Sequence, residues 1–168
     1  MCSLRLRKSA DVAYLEAFSK DWNIIPNDAL SENGLMADKT MNTTLHVMEA
    51  YTELYRVSND KRVLKALRFT LEITLDKIYD KNGGKLFVFF DKNLNEIGDI
   101  YSYGHDIEAT WLIDRACDVI GDEHLSKRCA EMNKVIVKNI ADRALSNGRL
   151  NNEVEHGVVN TWHIWWVQ

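Results

Sequence analysis

The stretch from residue 101 to residue 112, YSYGHDIEATWL, brings one imidazole and two carboxylates together within twelve residues. If a helix begins near His105, its period puts His105 and Glu108 on one face, with Asp106 turned away and Trp111 at the edge. Gly104 is the predicted hinge where an extended run turns into this helix, because glycine adopts backbone angles that other residues avoid. A histidine titrates near neutral pH, so this face could exchange protons with a substrate.

Two other interpretations of the same residues stay open. Carboxylates are favoured at a helix N-terminus by the helix dipole, and spacing alone favours His105 as a polar surface residue in that setting. A metal site built from His46, His105 and Glu108 is only weakly indicated, since three ligands on two helices follow no fixed motif. The sequence therefore predicts no metal.

The composition narrows the class of protein. The 168 residues are 46% hydrophobic and 27% charged, which is typical of one globular domain. A net charge of -4, with no run of basic residues interleaved with aromatics, argues against nucleic-acid binding. No apolar stretch approaches the roughly 20 residues that span a bilayer, so no membrane partner is predicted and a cytoplasmic location is expected. The three cysteines lack zinc-site spacing and are expected to be reduced and mostly packed.

The candidate site residues lie on long helices, and the sequence pattern predicts four such helices. A single proline, Pro26, permits long uninterrupted helices. Apolar residues recur at steps of three and four, and stop signals rich in Asn, Asp and Gly end most of the runs. The predicted helices span residues 41–57, 60–79, 105–120 and 123–145. The predicted fold class is therefore mainly α.

Short excursions separate these helices. Residues 12–18 and 85–90 are predicted to be extended, and residues 149–160 to form a polar loop or hairpin. Two helices, an excursion, two more helices and another excursion make a coarse repeat. This order is typical of stacked antiparallel helical hairpins, arranged as a toroid or a solenoid.

Three segments together resemble a known family. They are residues 42–51 (NTTLHVMEAY), residues 102–112 (SYGHDIEATWL) and residues 165–168 (WWVQ). In their order and spacing they are similar to the N-acylglucosamine 2-epimerase superfamily, and within it to the cellobiose (mannobiose) 2-epimerases. Residues 14–22 (YLEAFSKDW) resemble a further segment of that family.

This resemblance implies a fold and an activity. Such proteins are (α/α)6 barrels with the pocket among the inner helices, so residues 1–168 are expected to form a single domain, the central part of a barrel. They interconvert glucose and mannose configurations at the reducing end of a mono- or disaccharide, without a metal or another cofactor. The proton at C2 leaves the open-chain sugar and returns to it by way of an enediolate.

The resemblance also implies roles for individual residues. His105 matches the general acid/base, and Glu108 matches the carboxylate one turn along, which could orient the imidazole or bind a hydroxyl. The residues that match the sugar-holding lining of the pocket are Asn42, His46, Trp111, Trp165 and Trp166. Without the resemblance, Asn42 could be a helix cap. The two tryptophans of the last motif would then be ordinary core residues.

This sequence departs from the family pattern in its remaining catalytic groups. Inversion at C2 needs proton delivery from the opposite face, and the family uses a second histidine from its C-terminal part and an arginine from its N-terminal part. Neither region is matched here. We therefore expect a fragment or one half of an assembly, with self-association or a complementing chain covering exposed edges. The alternative function is a catalytically incomplete or non-catalytic carbohydrate-binding half-barrel.

Overall fold

The structure, a computed structural model, describes residues 13–27 and 35–162. The expected mainly α class is confirmed. The helices in these ranges are α1 (Met41–Ser58), α2 (Lys61–Ile73), α3 (Tyr103–Ile120) and α4 (Glu123–Arg143). Within the described ranges, no helix has the length and apolar character needed to cross a bilayer.

Local capping sets where these helices begin. Thr40, Asp60 and Asp122 each accept a hydrogen bond from a backbone N–H in the first turn of α1, α2 and α4. Such caps satisfy donors that have no partner inside the helix. At the other end of α3, Gly121 takes a left-handed conformation (φ 67°) and its N–H bonds the Cys117 carbonyl.

The second helix ends close to its predicted position but changes pitch in its last turn. Regular α2 ends at Ile73, and the chain continues as a π-helical turn, Thr74–Ile78. The hydroxyl of Thr74 donates to the Thr70 carbonyl at 2.8 Å.

In the part of the chain that the structure describes, four small antiparallel sheets join the helices. Strand β1 (Lys39–Thr40) pairs with β4 (Phe89–Phe90), and β2 (Tyr79–Asp80) pairs with β3 (Lys85–Leu86). The predicted extended run at 85–90 is thus divided between two sheets. The remaining strands are β5 (Ile100–Ser102), β6 (Leu145–Ser146), β7 (Arg149–Leu150), β8 (Glu153–Glu155) and β9 (Val158–Asn160). The order β5-β8-β9 confirms the hairpin predicted within 149–160.

The core lies between two helical hairpins. Helix α1 packs against α2, α3 packs against α4, and α1 also packs against α3. Leu67 and Leu71 of α2, Ile113 of α3 and Ile136 of α4 are fully buried. Cys117 and Cys129 are buried free thiols, as expected.

Helices α1 and α3 run parallel. Glu53 of α1 bonds Arg115 of α3 at 3.1 Å, and nearer the N-termini His46 of α1 acts electrostatically on His105 of α3. Both interactions advance along the two helices in the same direction. The first turns of α1 and α3 therefore lie at the same end of the molecule.

Candidate active site

Strand β5 delivers the chain into α3 at a fixed point. Ser102 pairs with Glu153 of β8, and the N–H of Tyr103 donates to the Asn152 carbonyl at 3.1 Å. Ser102 keeps an extended backbone (φ -95°, ψ 102°), and the helix begins at the next residue. His105 thus lies in the first turn of α3, as predicted.

The predicted hinge role of Gly104 is wrong. Gly104 lies inside the first turn of α3 and is buried there, and it is not one of the glycines with positive φ. The change from strand to helix needs no special backbone angle, because an extended N-cap residue is the usual way into a helix. Gly104 is therefore a buried helical residue and not a turn residue.

His105 has a defined environment. Its imidazole is half-buried, and its Nδ1 lies 2.7 Å from the hydroxyl oxygen of Ser102. Burial lowers the pKa of His105 below its ordinary 6.5, and repulsion from His46 lowers it further. Both effects disfavour the charged imidazolium. His105 is therefore a neutral base at neutral pH.

The other predicted polar residues lie on α1 and α3. His46 is exposed, and its Nδ1 lies 3.0 Å from a Glu49 carboxylate oxygen. Asn42 is one helical turn before His46, and its side-chain oxygen is buried with no hydrogen-bond partner in the described part of the chain. A buried acceptor without a partner is uncommon, and a ligand hydroxyl is one group that would satisfy it.

Glu108 is half-buried on α3. Residues 13–27 and 35–162 offer it no hydrogen-bond or ion-pair partner, so Ser102 and not Glu108 holds Nδ1 of His105. Of the two roles considered for Glu108, binding a hydroxyl fits this arrangement better.

The tryptophans divide into two groups. Trp111 of α3 is 57% exposed, which is unusual for so large an apolar ring. Trp165 and Trp166 lie outside the described residues. Trp111 is therefore the aromatic candidate whose position the structure gives.

Asp106 has a different environment from His105 and Glu108. Its carboxyl group is fully buried and accepts a hydrogen bond from the Leu86 N–H at 3.2 Å. Burial raises the pKa of Asp106 well above 3.8. Beside it, the rings of Tyr101 and Tyr103 pack at 4.6 Å between centroids, and Lys85 lies 5.5 Å from the Tyr101 ring. Asp106 thus has a structural role, because its hydrogen bond joins the first turn of α3 to strand β3.

Sequence reasoning missed Ser102. The signal was present, since a serine three residues before a histidine at a helix start can reach its ring. Serine is so common as an N-cap residue that a hydrogen bond from its hydroxyl to a nearby histidine is easily overlooked in a sequence. No group of three or more His, Cys, Asp or Glu side chains in the described ranges is arranged to hold a metal ion.

Comparison with known proteins identifies the relatives of this fold and site. No family model matches the chain. A crystal structure of a sugar epimerase from a ruminal bacterium superposes with a TM-score of 0.89 at 53% identity, covering 92% of this chain and 40% of that one. By fold and sequence the chain is thus similar to a sugar epimerase.

Within that class the relatives are more specific. The cellobiose 2-epimerase of Ruminococcus albus is 52% identical over 158 residues, 94% of this chain. The structure of cellobiose 2-epimerase from Bacillus thermoamylovorans B4167 has a TM-score of 0.86 at 42% identity and covers 92% of this chain and 40% of that one. Over nearly all of its length the chain is therefore similar to cellobiose 2-epimerases, and its stacked hairpins are part of an (α/α)6 barrel. It spans 41% of the length of the R. albus relative.

Proposed function

We propose that the first turns of α1 and α3 form part of the active site of a carbohydrate 2-epimerase, in which His105 exchanges the proton at C2. The observation that carries this proposal is the half-buried, neutral imidazole of His105, held at Nδ1 by Ser102 at 2.7 Å. The relationship to cellobiose 2-epimerases supports a disaccharide with a free reducing end as substrate.

The chemistry explains why a neutral histidine is wanted. The C2 proton of a sugar is removable only after ring opening places an aldehyde at C1, which lets the resulting charge spread into an enediolate. A base with a pKa near or below neutral pH is unprotonated when the substrate arrives. Lowering the pKa of His105 therefore keeps it in the form that accepts the proton.

Neighbouring side chains would hold the sugar. Glu108 has a carboxylate without a partner in the described ranges, and Asn42 has a buried acceptor oxygen in the same condition. Both can accept hydrogen bonds from sugar hydroxyls. His46 lies close enough to His105 to act on its charge, and the exposed ring of Trp111 offers a flat apolar face. Trp165 and Trp166 are included in the proposal by their motif alone.

The test is exchange of the C2 proton. The chain is incubated with cellobiose or mannobiose in deuterated water, and deuterium at C2 is followed by NMR. We expect exchange in the wild type and its loss, by roughly 10²-fold or more, in His105→Gln, since general acid–base catalysis contributes that much. His124→Gln, which changes an exposed histidine of α4, is the matched control and should exchange normally.

A second candidate function is sugar binding without catalysis. The exposed Trp111 and the unpartnered Asn42 oxygen favour it, because both are features of a binding surface and neither needs proton transfer. Titration of the tryptophan fluorescence with cellobiose separates the two candidates. Saturable binding by a folded chain with no C2 exchange would replace the epimerase proposal with this one.

A further inference from the structure

Ser102 does not use its hydroxyl as its position suggests. It occupies the N-cap of α3, yet its side chain makes no capping hydrogen bond. The N-cap residues of the other three described helices, Thr40, Asp60 and Asp122, all make one. Serine is among the strongest N-cap residues, so the missing bond needs another explanation. The hydroxyl is instead 2.7 Å from Nδ1 of His105.

The backbone holds this hydroxyl in place. Ser102 is 4% exposed and pairs with Glu153 of β8, and the next N–H bonds the Asn152 carbonyl. A buried hydroxyl on a paired strand has little freedom and little competition from water. Its hydrogen bond to His105 is therefore a fixed feature of the fold.

We propose that Ser102 is a positioning residue that selects the tautomer of His105. A general base must present an unprotonated nitrogen, and the hydrogen bond made by one ring nitrogen sets the proton on the other. When Nδ1 carries the proton and its N–H donates a hydrogen bond to the Ser102 oxygen, Nε2 is unprotonated and exchanges the proton with the sugar. This inference rests on the proposed role of His105, and it goes further by naming the group that prepares the base.

The electrostatic surroundings are consistent with this assignment. The group acting on His105 from the packed helix α1 is His46, which disfavours a positive charge on the His105 ring. On α3, Glu108 has no hydrogen-bond partner in the described ranges, and Asp106 is directed to the Leu86 N–H. Ser102 is thus the side chain of this region that contacts Nδ1.

The experiment reads the tautomer directly. The ¹⁵N shifts of the His105 ring are recorded by NMR in the wild type and in Ser102→Ala, with His105→Gln used to assign the signals. We expect the wild type to carry its proton on Nδ1 and Ser102→Ala to move toward protonation at Nε2. Ser126→Ala, which removes a hydroxyl at the start of α4 that bonds the Asp122 carbonyl, is the matched control and should leave the ring unchanged.

Further variants and a rate measurement complete the test. Ser102→Cys keeps the shape of the side chain with a weaker hydrogen-bonding group, and should shift the tautomer partway even if the alanine variant does not fold. We expect C2 exchange to slow about tenfold in Ser102→Ala with KM little changed, a part of the roughly 10²- to 10⁴-fold that general acid–base catalysis provides. Unchanged ring shifts in both Ser102 variants would overturn the proposal.

The proposed function can fail separately. If Ser102 controls the tautomer but the wild type exchanges no C2 proton, the positioning bond stands and the epimerase assignment does not. If exchange occurs in the wild type and is equally fast in a folded Ser102→Ala, the epimerase assignment stands and the positioning role of Ser102 does not. The ring shifts therefore distinguish the two conclusions.

Discussion

The carboxyl group of Asp106 accepts a hydrogen bond from the backbone N–H of Leu86 at 3.2 Å, and so ties the first turn of α3 to strand β3. The same carboxyl is fully buried, its second oxygen has no partner in the described ranges, and its pKa lies well above 3.8. The carboxyl group that makes this hydrogen bond therefore keeps its proton to a higher pH than an exposed aspartate does.

This proton makes stability depend on pH. The unfolded chain releases it near pH 3.8, whereas the folded chain retains it to a higher pH. The unfolding free energy contributed by Asp106 therefore decreases as the pH rises from about 4 toward its raised pKa. Asp106→Asn cannot titrate and keeps an acceptor for the Leu86 N–H. The unfolding free energy of this variant should therefore not show the decrease with rising pH. Urea unfolding at several pH values measures the difference, and Asp118→Asn, an exposed change on the same helix, is the control.

His46 should tune the base. Burial is the larger cause of the lowered pKa of His105 and repulsion from His46 is the smaller one. His46→Gln removes the repulsion, so the pKa of His105 should rise but stay below 6.5. An NMR titration of the His105 ring measures this, with His124→Gln as the control. An unchanged pKa in His46→Gln would show that burial alone sets the value.

The pH dependence of activity follows from the same shift. In the proposed function the unprotonated form of His105 is the active one, and a lowered pKa preserves that form into more acidic solution. C2 exchange should therefore persist below pH 6.5 and fall only at lower pH. Initial rates across this range provide the measurement. A rate that already falls above pH 6.5 would point to a different titrating group.

Gly84 is predicted to tolerate no side chain. It has φ +63°, and an added Cβ would lie 2.4 Å from Nδ2 of Asn139 and 2.8 Å from Cγ1 of Val135. That Asn139 amide donates to the carbonyls of Gly83 and Gly84 and so holds the β2–β3 turn against α4. Gly148 has φ +74° with no atom near its missing Cβ. Gly148→Ala should cost about 1 kcal/mol from backbone strain alone, and Gly84→Ala clearly more. Equal losses in thermal unfolding would contradict the clash.

The core between the hairpins can be tested by a pair of leucines. Leu67 of α2 is 0% exposed and Leu54 of α1 is 41% exposed. Leu67→Ala should lower the unfolding free energy by roughly 2–5 kcal/mol, because it removes buried methyl groups and leaves a cavity. Leu54→Ala should change it by less than about 1 kcal/mol. Denaturant unfolding of the two variants compares them directly.

The helices were the part of the fold that could be predicted. The apolar repeat of α1 and the N-cap Asp60 of α2 are local signals, since each involves residues within one or two turns. The helical run of the second helix ends at Ile78, one residue before its predicted end, but its last turn, Thr74–Ile78, is π-helical, which the apolar pattern does not indicate. The small sheets were predicted least well, since their two-residue strands carry almost no periodicity.

The sequence by itself predicted the four helices, the candidate base His105 and, through its motifs, the similarity to cellobiose 2-epimerases. Only the tertiary structure decided that α1 and α3 lie parallel with His46 near His105, and that Ser102 holds the imidazole. That contact depends on the backbone of β5, which is fixed by pairing with β8 far along the chain. A local pattern cannot encode the pairing of β5 with β8, so the spacing of His105 and Glu108 suggested a pair where the fold brings Ser102 to the imidazole.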